Sequence, residues 1–443
     1  MFNRELVENY LKIIKSNPED YFEDYKIMQD RVNNSSAIYK NKPIPVTYQG
    51  MFFGRENIEE FKEISKTLME ITRKVTNEYL NNPEYRTHFK YSKKLEELIL
   101  HDPGYDIPVP ICRYDVFYNG IGDYKFCEFN TDGSSAMNEE MVLGSIMRES
   151  KAFKEFEREY EIKRFELFDS WVKKSIEIYR ESKRANDKPN IAIVDFIDKG
   201  TTNEFIRFKE AYNEAGYNCE IVDPREIEYK NGKLMHREYR IDMVYRRAVT
   251  MDIMENIDEI EQFINAYMED AFVMIGSFRS QIMHTKLIFK ILRLEATQKI
   301  LSDRENEFLK AHIPNTEEFI TEEDFEKVLN DKDSYILKPY DGYASYKVYA
   351  GREYSKDEWE KVLKDLLGQN YIYQDYFDME KVDFIEFEED GSYSITPYAS
   401  VIGMFIYKEE FQGLYTRIGN QALISGARRY YTAPNYVIQN KNK

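Results

Sequence analysis

Residues 113–132, Arg-Tyr-Asp-Val-Phe-Tyr-Asn-Gly-Ile-Gly-Asp-Tyr-Lys-Phe-Cys-Glu-Phe-Asn-Thr-Asp, carry arginine, carboxylate and amide side chains on either side of an Asn-Gly-Ile-Gly-Asp turn. Gly and Asn tolerate the positive φ that a tight reversal needs, so the stretch reads as a hairpin. Side chains alternate faces along a strand, which puts Arg113, Asp115 and Phe117 together. On the return strand Phe126, Glu128 and Asn130 share a face, and a suitable register joins the two polar sets. Two carboxylates and an amide make an all-oxygen cluster suited to Mg²⁺, an ion that fills the rest of its shell with water and phosphate oxygens. The alternative is that Asp115 and Glu128 lie on the solvated face of an ordinary hairpin.

Phosphate ligands to complete such a cluster have candidates downstream. Leu337-Lys338-Pro339-Tyr340-Asp341-Gly342-Tyr343-Ala344-Ser345 reads as a strand delivering Lys338 into a loop that covers phosphate oxygens, or as a turn with a surface lysine. Lys286, expected within a helix after Phe278-Arg-Ser-Gln-Ile-Met-His-Thr, is a second phosphate lysine or a solvated one. Gln374 and Tyr376, on an aromatic-flanked strand, are an adenine-contacting edge or members of a core strand. Arg417 stands alone in the β-rich stretch Gly413-Leu-Tyr-Thr-Arg-Ile-Gly-Asn. Its planar fork fits a carboxylate or phosphate, or simply pairs with one of the 80 acidic residues. Tyr245-Arg246-Arg247 closes a strand where open α/β sheets gather ligands, so these arginines hold an anionic substrate group or are structural.

The elements that position these residues follow from periodicity. Apolar residues at helical spacing, such as Ile58, Phe61, Ile64, Leu68 and Ile71, make residues 3–30 and 55–100 amphipathic helices. The proline-containing stretch 101–110 breaks the helix ahead of the hairpin, and residues 139–182 read as helical again. Asn190-Ile-Ala-Ile-Val is a buried strand, followed by a helix over 204–215, a strand from Asn218 and a third over 241–247. That order predicts a right-handed βαβ unit with a parallel sheet. No G-x-G-x-x-G opens its helix, so phosphate binding is not assigned to it. From about 276 onward helices alternate with β-rich stretches, without a long linker or internal repeat.

Composition narrows the classes. The 443 residues suffice for two to four domains at roughly 100–200 residues each, and 42% hydrophobic residues exclude a disordered chain. The net charge of −18 argues against non-specific nucleic-acid or anionic-membrane binding. It also means that any nucleotide site must be built from local cations and backbone N–H groups. Cys112, Cys127 and Cys219 form no C-x-x-C pair, and neither they nor the five histidines show zinc spacing. A Cys112–Cys127 disulfide stays open beside the reading of buried thiols. The charged N-terminus and the absence of an apolar run near about 18 residues lead to the expectation of a soluble cytoplasmic protein.

In order and spacing, Arg113-Tyr-Asp115, Glu128-Phe-Asn130-Thr-Asp132, Tyr245-Arg-Arg, Lys286, Leu-Lys338-Pro, Gln374 and Tyr-Thr-Arg417 resemble the circularly permuted ATP-grasp proteins, and the chain is most similar to their glutathionylspermidine-synthase-like group. The likeness runs from about residue 50 almost to the C-terminus. It implies an α/β (α+β) fold with a helical cap over 1–105, a metal-binding hairpin and helices over 106–187, a Rossmann-like βαβ subdomain over 188–275, and a nucleotide-binding part over 276–443. It implies that Asp115, Glu128 and Asn130 bind Mg²⁺, that Lys286 and Lys338 contact ATP phosphates, and that Gln374 and nearby backbone hold adenine. Arg417 is implied to stabilise the transferring phosphoryl group, with Arg113 near the acyl-phosphate position. The implied activity is ATP-dependent joining of a small-molecule carboxylate to an amine. A nucleotide-binding pseudoenzyme and a small-molecule phosphotransferase are the alternatives. Two departures stand out. Tyr343-Ala344-Ser345-Tyr346-Lys347 replaces the Gly-Gly-x-Gly loop common in relatives, and side chains there restrict close backbone approach to phosphate. The chain also has no room for the N-terminal amidase domain of bifunctional relatives, so no amidase activity is expected.

Overall fold

The computed structural model describes residues 4–39, 41–199, 202–342, 347–424 and 430–441. Its central sheet is built around the hairpin β1 (Ile111–Gly120) and β2 (Asp123–Asn130). The parallel sheet uses β3 (Asn190–Val194), β4 (Asn218–Val222), β5 (Met243–Arg246) and β6 (Val273–Ile275). Next come β7 (Thr316–Glu318), β8 (Tyr335–Pro339), β9 (Tyr349–Ala350) and β10 (Tyr371–Asp375). The chain closes with β11 (Lys381–Phe387), β12 (Tyr393–Tyr407), β13 (Glu410–Gly419) and β14 (Tyr431–Thr432).

Three of these groupings position the site. The central sheet has the order β14-β13-β12-β1-β2, with β11 paired to the first half of β12. The 15-residue β12 thus serves β11 at its start and β1 at its end, Gly403 lying opposite Asp115. The parallel sheet runs β6-β5-β3-β4, all strands co-directional, with the helix Thr202–Glu214 crossing from β3 to β4. The third sheet, β7-β10-β8-β9, is antiparallel and carries Lys338 and Gln374 on adjacent strands.

Helices cover these sheets as their periodicity predicts. Arg55–Asn81 buries Phe61, Ile64, Leu68 and Ile71, and Lys93–Leu100 ends just before the proline stretch. One face of the hairpin supplies Tyr114, Val116, Tyr118, Phe126 and Phe129 to the largest core cluster. Among the described residues no helix is long and apolar enough to cross a membrane. All three cysteines are free, which removes the Cys112–Cys127 bond.

Two expectations need correction, and one strand was not expected. Residues 139–182 are not continuously helical: Tyr160–Lys163 is a strand that pairs with Asn435–Asn440, which in turn pairs with Met51–Phe53. The strand expected over 241–247 divides at Asp242, Tyr239–Ile241 closing a small antiparallel sheet while Met243–Arg246 joins the parallel one. A fourth parallel strand, Val273–Ile275, was absent from the sequence pattern because three apolar residues carry no period.

Candidate active site

The hairpin register brings the predicted set together. Arg113 lies opposite Asn130 and Asp115 opposite Glu128, so all four side chains face one way. A register shift between Asp115 and Val116 then leaves Cys127 as an extra residue, a β-bulge. The bulge flips the parity before it: Phe126 turns into the core instead of sharing a face with Glu128, and Cys127 takes its place in the cavity wall. The cavity, about 290 Å³, is lined by Arg113, Glu128, Asn130, Lys286, Lys338, Gln374, Tyr376 and Arg417 and continues past Ser134 and Ser135 to Glu139, Asp195 and Arg247.

Asp115, 1% exposed, is gripped by two arginines. Arg113 donates Nε at 2.7 Å and a terminal nitrogen at 3.1 Å to its two oxygens, and Arg417 donates at 2.7 Å. A third nitrogen of Arg113 reaches the Ser135 carbonyl at 2.7 Å, just before Ala136, whose φ of 86° is left-handed. Gly403 makes this possible, since a Cβ there would lie 2.5 Å from Arg113 Cδ.

Glu128 pairs with Lys286 at 2.9 Å. Burial pushes its carboxyl upward, but Lys286 and then Lys338 outweigh that and hold it down at about 2. The depressed value means that the pair's contribution to stability is full above the unfolded value near about 4.5 and is lost as pH falls through about 2. Over that window wild type is expected to lose about 3 kcal/mol relative to Glu128→Gln, measured by urea unfolding in a pH series.

Lys286 is not helical. It sits in the break between helices Gln281–His284 and Ile288–Ile291, where its N–H donates to Tyr340 O at 2.8 Å and its ammonium to Gly342 O at 2.7 Å. Lys338, 6% exposed at the end of β8, donates to Gln374 Oε1 at 2.8 Å and to the bulged Cys127 carbonyl at 2.9 Å. Gln374 Nε2 donates to Thr316 Oγ1 at 2.8 Å, so both ends of this amide are engaged within the protein rather than presented to a base. Tyr376 lines the cavity, packs under Arg352 at 4.2 Å and donates to Ala422 O. The altered loop after Lys338 lies, over residues 343–346, outside the described residues.

The adjacent arginines at the end of β5 part company. Arg246 is spent on a buried pair with Asp132 at 2.6 Å and on carbonyls of Ala248 and Ser277, and it does not line the cavity. Its expected substrate role is replaced by a structural one. Arg247 does line the cavity, pairs with Glu204 at 2.8 Å and donates to Ser134 O. Missed by the sequence reading were Glu139 and Asp195. Asp195 follows β3 at its carboxyl end, the position where a parallel sheet presents ligand groups.

The donor set fits an anionic ligand with a divalent ion. Lys338 has an ammonium bonded only to neutral oxygens, and Arg417 Nε and Asn130 Nδ2 are buried without a partner among the described residues. No group of three His, Cys, Asp or Glu that could hold a metal occurs among the described residues, and of the three expected metal ligands Glu128 and Asn130 line the cavity while Asp115 lies behind its wall.

Comparison with known proteins adds a family and a fold. The family model described as glutathionylspermidine synthase preATP-grasp matches residues 45–434. A glutathione synthetase-like effector from Globodera pallida, solved in apo form, is similar over 95% of this chain and 98% of its own at 10% identity, with a TM-score of 0.62. D-alanyl-alanine synthetase A from Vibrio cholerae is similar over 58% of this chain and 90% of its own, at 10% identity and a TM-score of 0.27. No curated protein matches the sequence.

Proposed function

This chain belongs to the glutathionylspermidine synthase preATP-grasp family, and from that premise we propose that it is an ATP-dependent carboxylate–amine ligase. ATP phosphorylates a substrate carboxylate, an amine attacks the acyl phosphate, and an amide, ADP and phosphate are released. The proposal includes the permuted order, with the hairpin of β1 and β2 ahead of Lys286 and Lys338 in the chain, and the division into parts at about residues 105, 187 and 275.

The carrying observation is Lys338, a buried ammonium held by two neutral oxygens at the head of a cavity that also gathers Glu128, Asn130, Lys286 and Arg417. Lys338 has no direct ion pair among the described residues, and the Glu128 carboxylate near it is already paired with Lys286, so a phosphate oxygen would supply a charge of its own. Gln374 acts here as the positioning group for Lys338 while Tyr376 and the backbone beside it offer the apolar wall for a base. Lys286, tied to Glu128 and to Gly342 O at the cavity wall, is the second cation for the phosphates. Arg417 lines the same cavity, with its Nε unpartnered among the described residues, and stabilises charge on the transferring phosphoryl group. Mg²⁺ held by Asp115, Glu128 and Asn130 would neutralise charge along the phosphates and align them for transfer.

The test is ADP release with Mg²⁺ and ATP over a panel of carboxylates, glutathione included, with hydroxylamine as trap. Hydroxamate formation is expected. ATP binding without ADP release would make the chain a nucleotide-binding scaffold, and phosphorylation of the carboxylate donor elsewhere, without hydroxamate, a phosphotransferase.

A further inference from the structure

Beyond Arg113 the cavity contains a carboxylate that no part of the fold requires. Glu139 occupies the first turn of the helix Met137–Arg148, is 7% exposed and lines the cavity. The usual duties of a carboxylate at that place are already met by another residue. Glu204, on the helix Thr202–Glu214, accepts the N–H groups of Met137 and Asn138 at 2.8 and 3.3 Å and also neutralises Arg247. Glu139 makes no ion pair among the described residues and accepts only its own backbone N–H. A buried carboxylate at a cavity wall without a direct ion pair is costly unless a ligand supplies one, and Arg113 and Arg247 act on Glu139 only at longer range. Asp195, 8% exposed at the carboxyl end of β3, lines the same cavity and among the described residues its side chain is bonded only to the Phe196 N–H. Nearby Asp252 differs, being neutralised by Lys199 at 2.7 Å.

We propose that Glu139 is the general base that takes a proton from the ammonium form of the amine substrate, with Asp195 holding the same cationic group in the cavity. The inference rests on the ligase reading above. In this step one N–H bond breaks and its proton goes to a Glu139 oxygen. The freed nitrogen lone pair forms the C–N bond to the acyl carbon, the C–O bond to phosphate breaks, and its electron pair leaves with phosphate. The second proton lost from nitrogen goes to the departing phosphate, and Glu139 returns its own to solvent.

The electrostatics around Glu139 agree with this role. It is faced by Glu204, by Arg113 on β1, by Arg247 after β5, and by Tyr415 on β13 and Tyr430. Burial first, then the Glu204 carboxylate, push Glu139 up to about 8, and burial pushes Asp195 up to about 7. A base is most effective when its value lies near working pH, and an arriving ammonium favours its ionised form.

The experiment compares wild type with Glu139→Gln, which keeps shape and hydrogen-bonding capacity, using Mg²⁺, ATP and the glutathione-containing carboxylate panel with two acceptors. Hydroxylamine is largely unprotonated at neutral pH and needs no base. Ethylamine and 1,3-diaminopropane are protonated and need one. Hydroxamate formation by Glu139→Gln is expected within about twofold of wild type, while ligation of the amines near pH 7 falls about 100-fold. The wild-type limb near pH 8 is expected to vanish in the variant, whose rate then climbs with the amine's own deprotonation. Glu139→Asp, which keeps a carboxylate, is expected to restore the limb. Hydroxamate from both proteins with unchanged amine rates and pH profile overturns the role of Glu139 alone. Loss of hydroxamate and amide together in the variant overturns it too, as a structural effect. Absence of hydroxamate from wild type with every carboxylate overturns the ligase reading and this inference with it.

Discussion

Replacing Asp115 with asparagine is expected to lower ATP turnover about 1,000-fold and to cost about 3 kcal/mol of stability. Both effects come from one carboxylate. It lies between the Arg113 and Arg417 guanidiniums, and removing its charge leaves two buried cations without their counter-charge. A carboxylate accepts at about four lone-pair positions, and the arginines use three of them in hydrogen bonds. One position is left uncommitted, on a carboxylate that is 1% exposed and does not line the cavity. Nucleotide affinity measured with and without Mg²⁺ separates the two duties. If Asp115 holds the ion, Asp115→Asn loses the Mg²⁺ dependence of binding as well as turnover. If it only steadies Arg417, that dependence survives and the metal assignment fails. Circular dichroism at the assay temperature establishes that the measured population is folded.

Lys338→Met should separate activity from stability. Turnover is expected to fall about 100- to 1,000-fold, because a cation aimed at developing phosphate charge is gone. Thermal stability is expected to change by no more than about 2 kcal/mol, since relief from burying a charge offsets two acceptors left without a donor. Burial already presses on this group, lowering the lysine from its ordinary value. The clearest readout is the melting temperature with ATP. A ligand that binds only the folded protein raises it, so wild type should gain and Lys338→Met should not. An equal gain in both would remove Lys338 from the nucleotide site.

The facing of Arg113 and Asp115 against Glu128 and Asn130 was legible because period-2 alternation is a local property of the chain. The bulge at Cys127 was not, since an extra residue exists only relative to a partner strand. Residues 281–291 contain neither Gly nor Pro, so the sequence alone puts Lys286 in a helix. What breaks the helix is its N–H bonding to Tyr340 O, a contact from another part of the fold. Tyr160–Lys163 was hidden for a similar reason: its partner strand lies at the far end of the chain. Arg246 and Arg247 looked equivalent as neighbours, yet consecutive residues at a strand end point apart, and only one reaches the cavity. Glu139 is invisible among 80 acidic residues until three dimensions show it buried at the cavity wall without a direct ion pair to any described residue.

The pairing of β1 with β12 has a consequence for how the chain is made. Asp115 and Arg417 are 302 positions apart, and Gly403 must arrive before the Arg113 stem has its slot. During synthesis β1 therefore waits, hydrophobic and unpaired on one edge, until β12 has left the ribosome. A chain interrupted before residue 393 keeps both lysines but exposes that edge, and is expected to aggregate rather than to act as a partial enzyme.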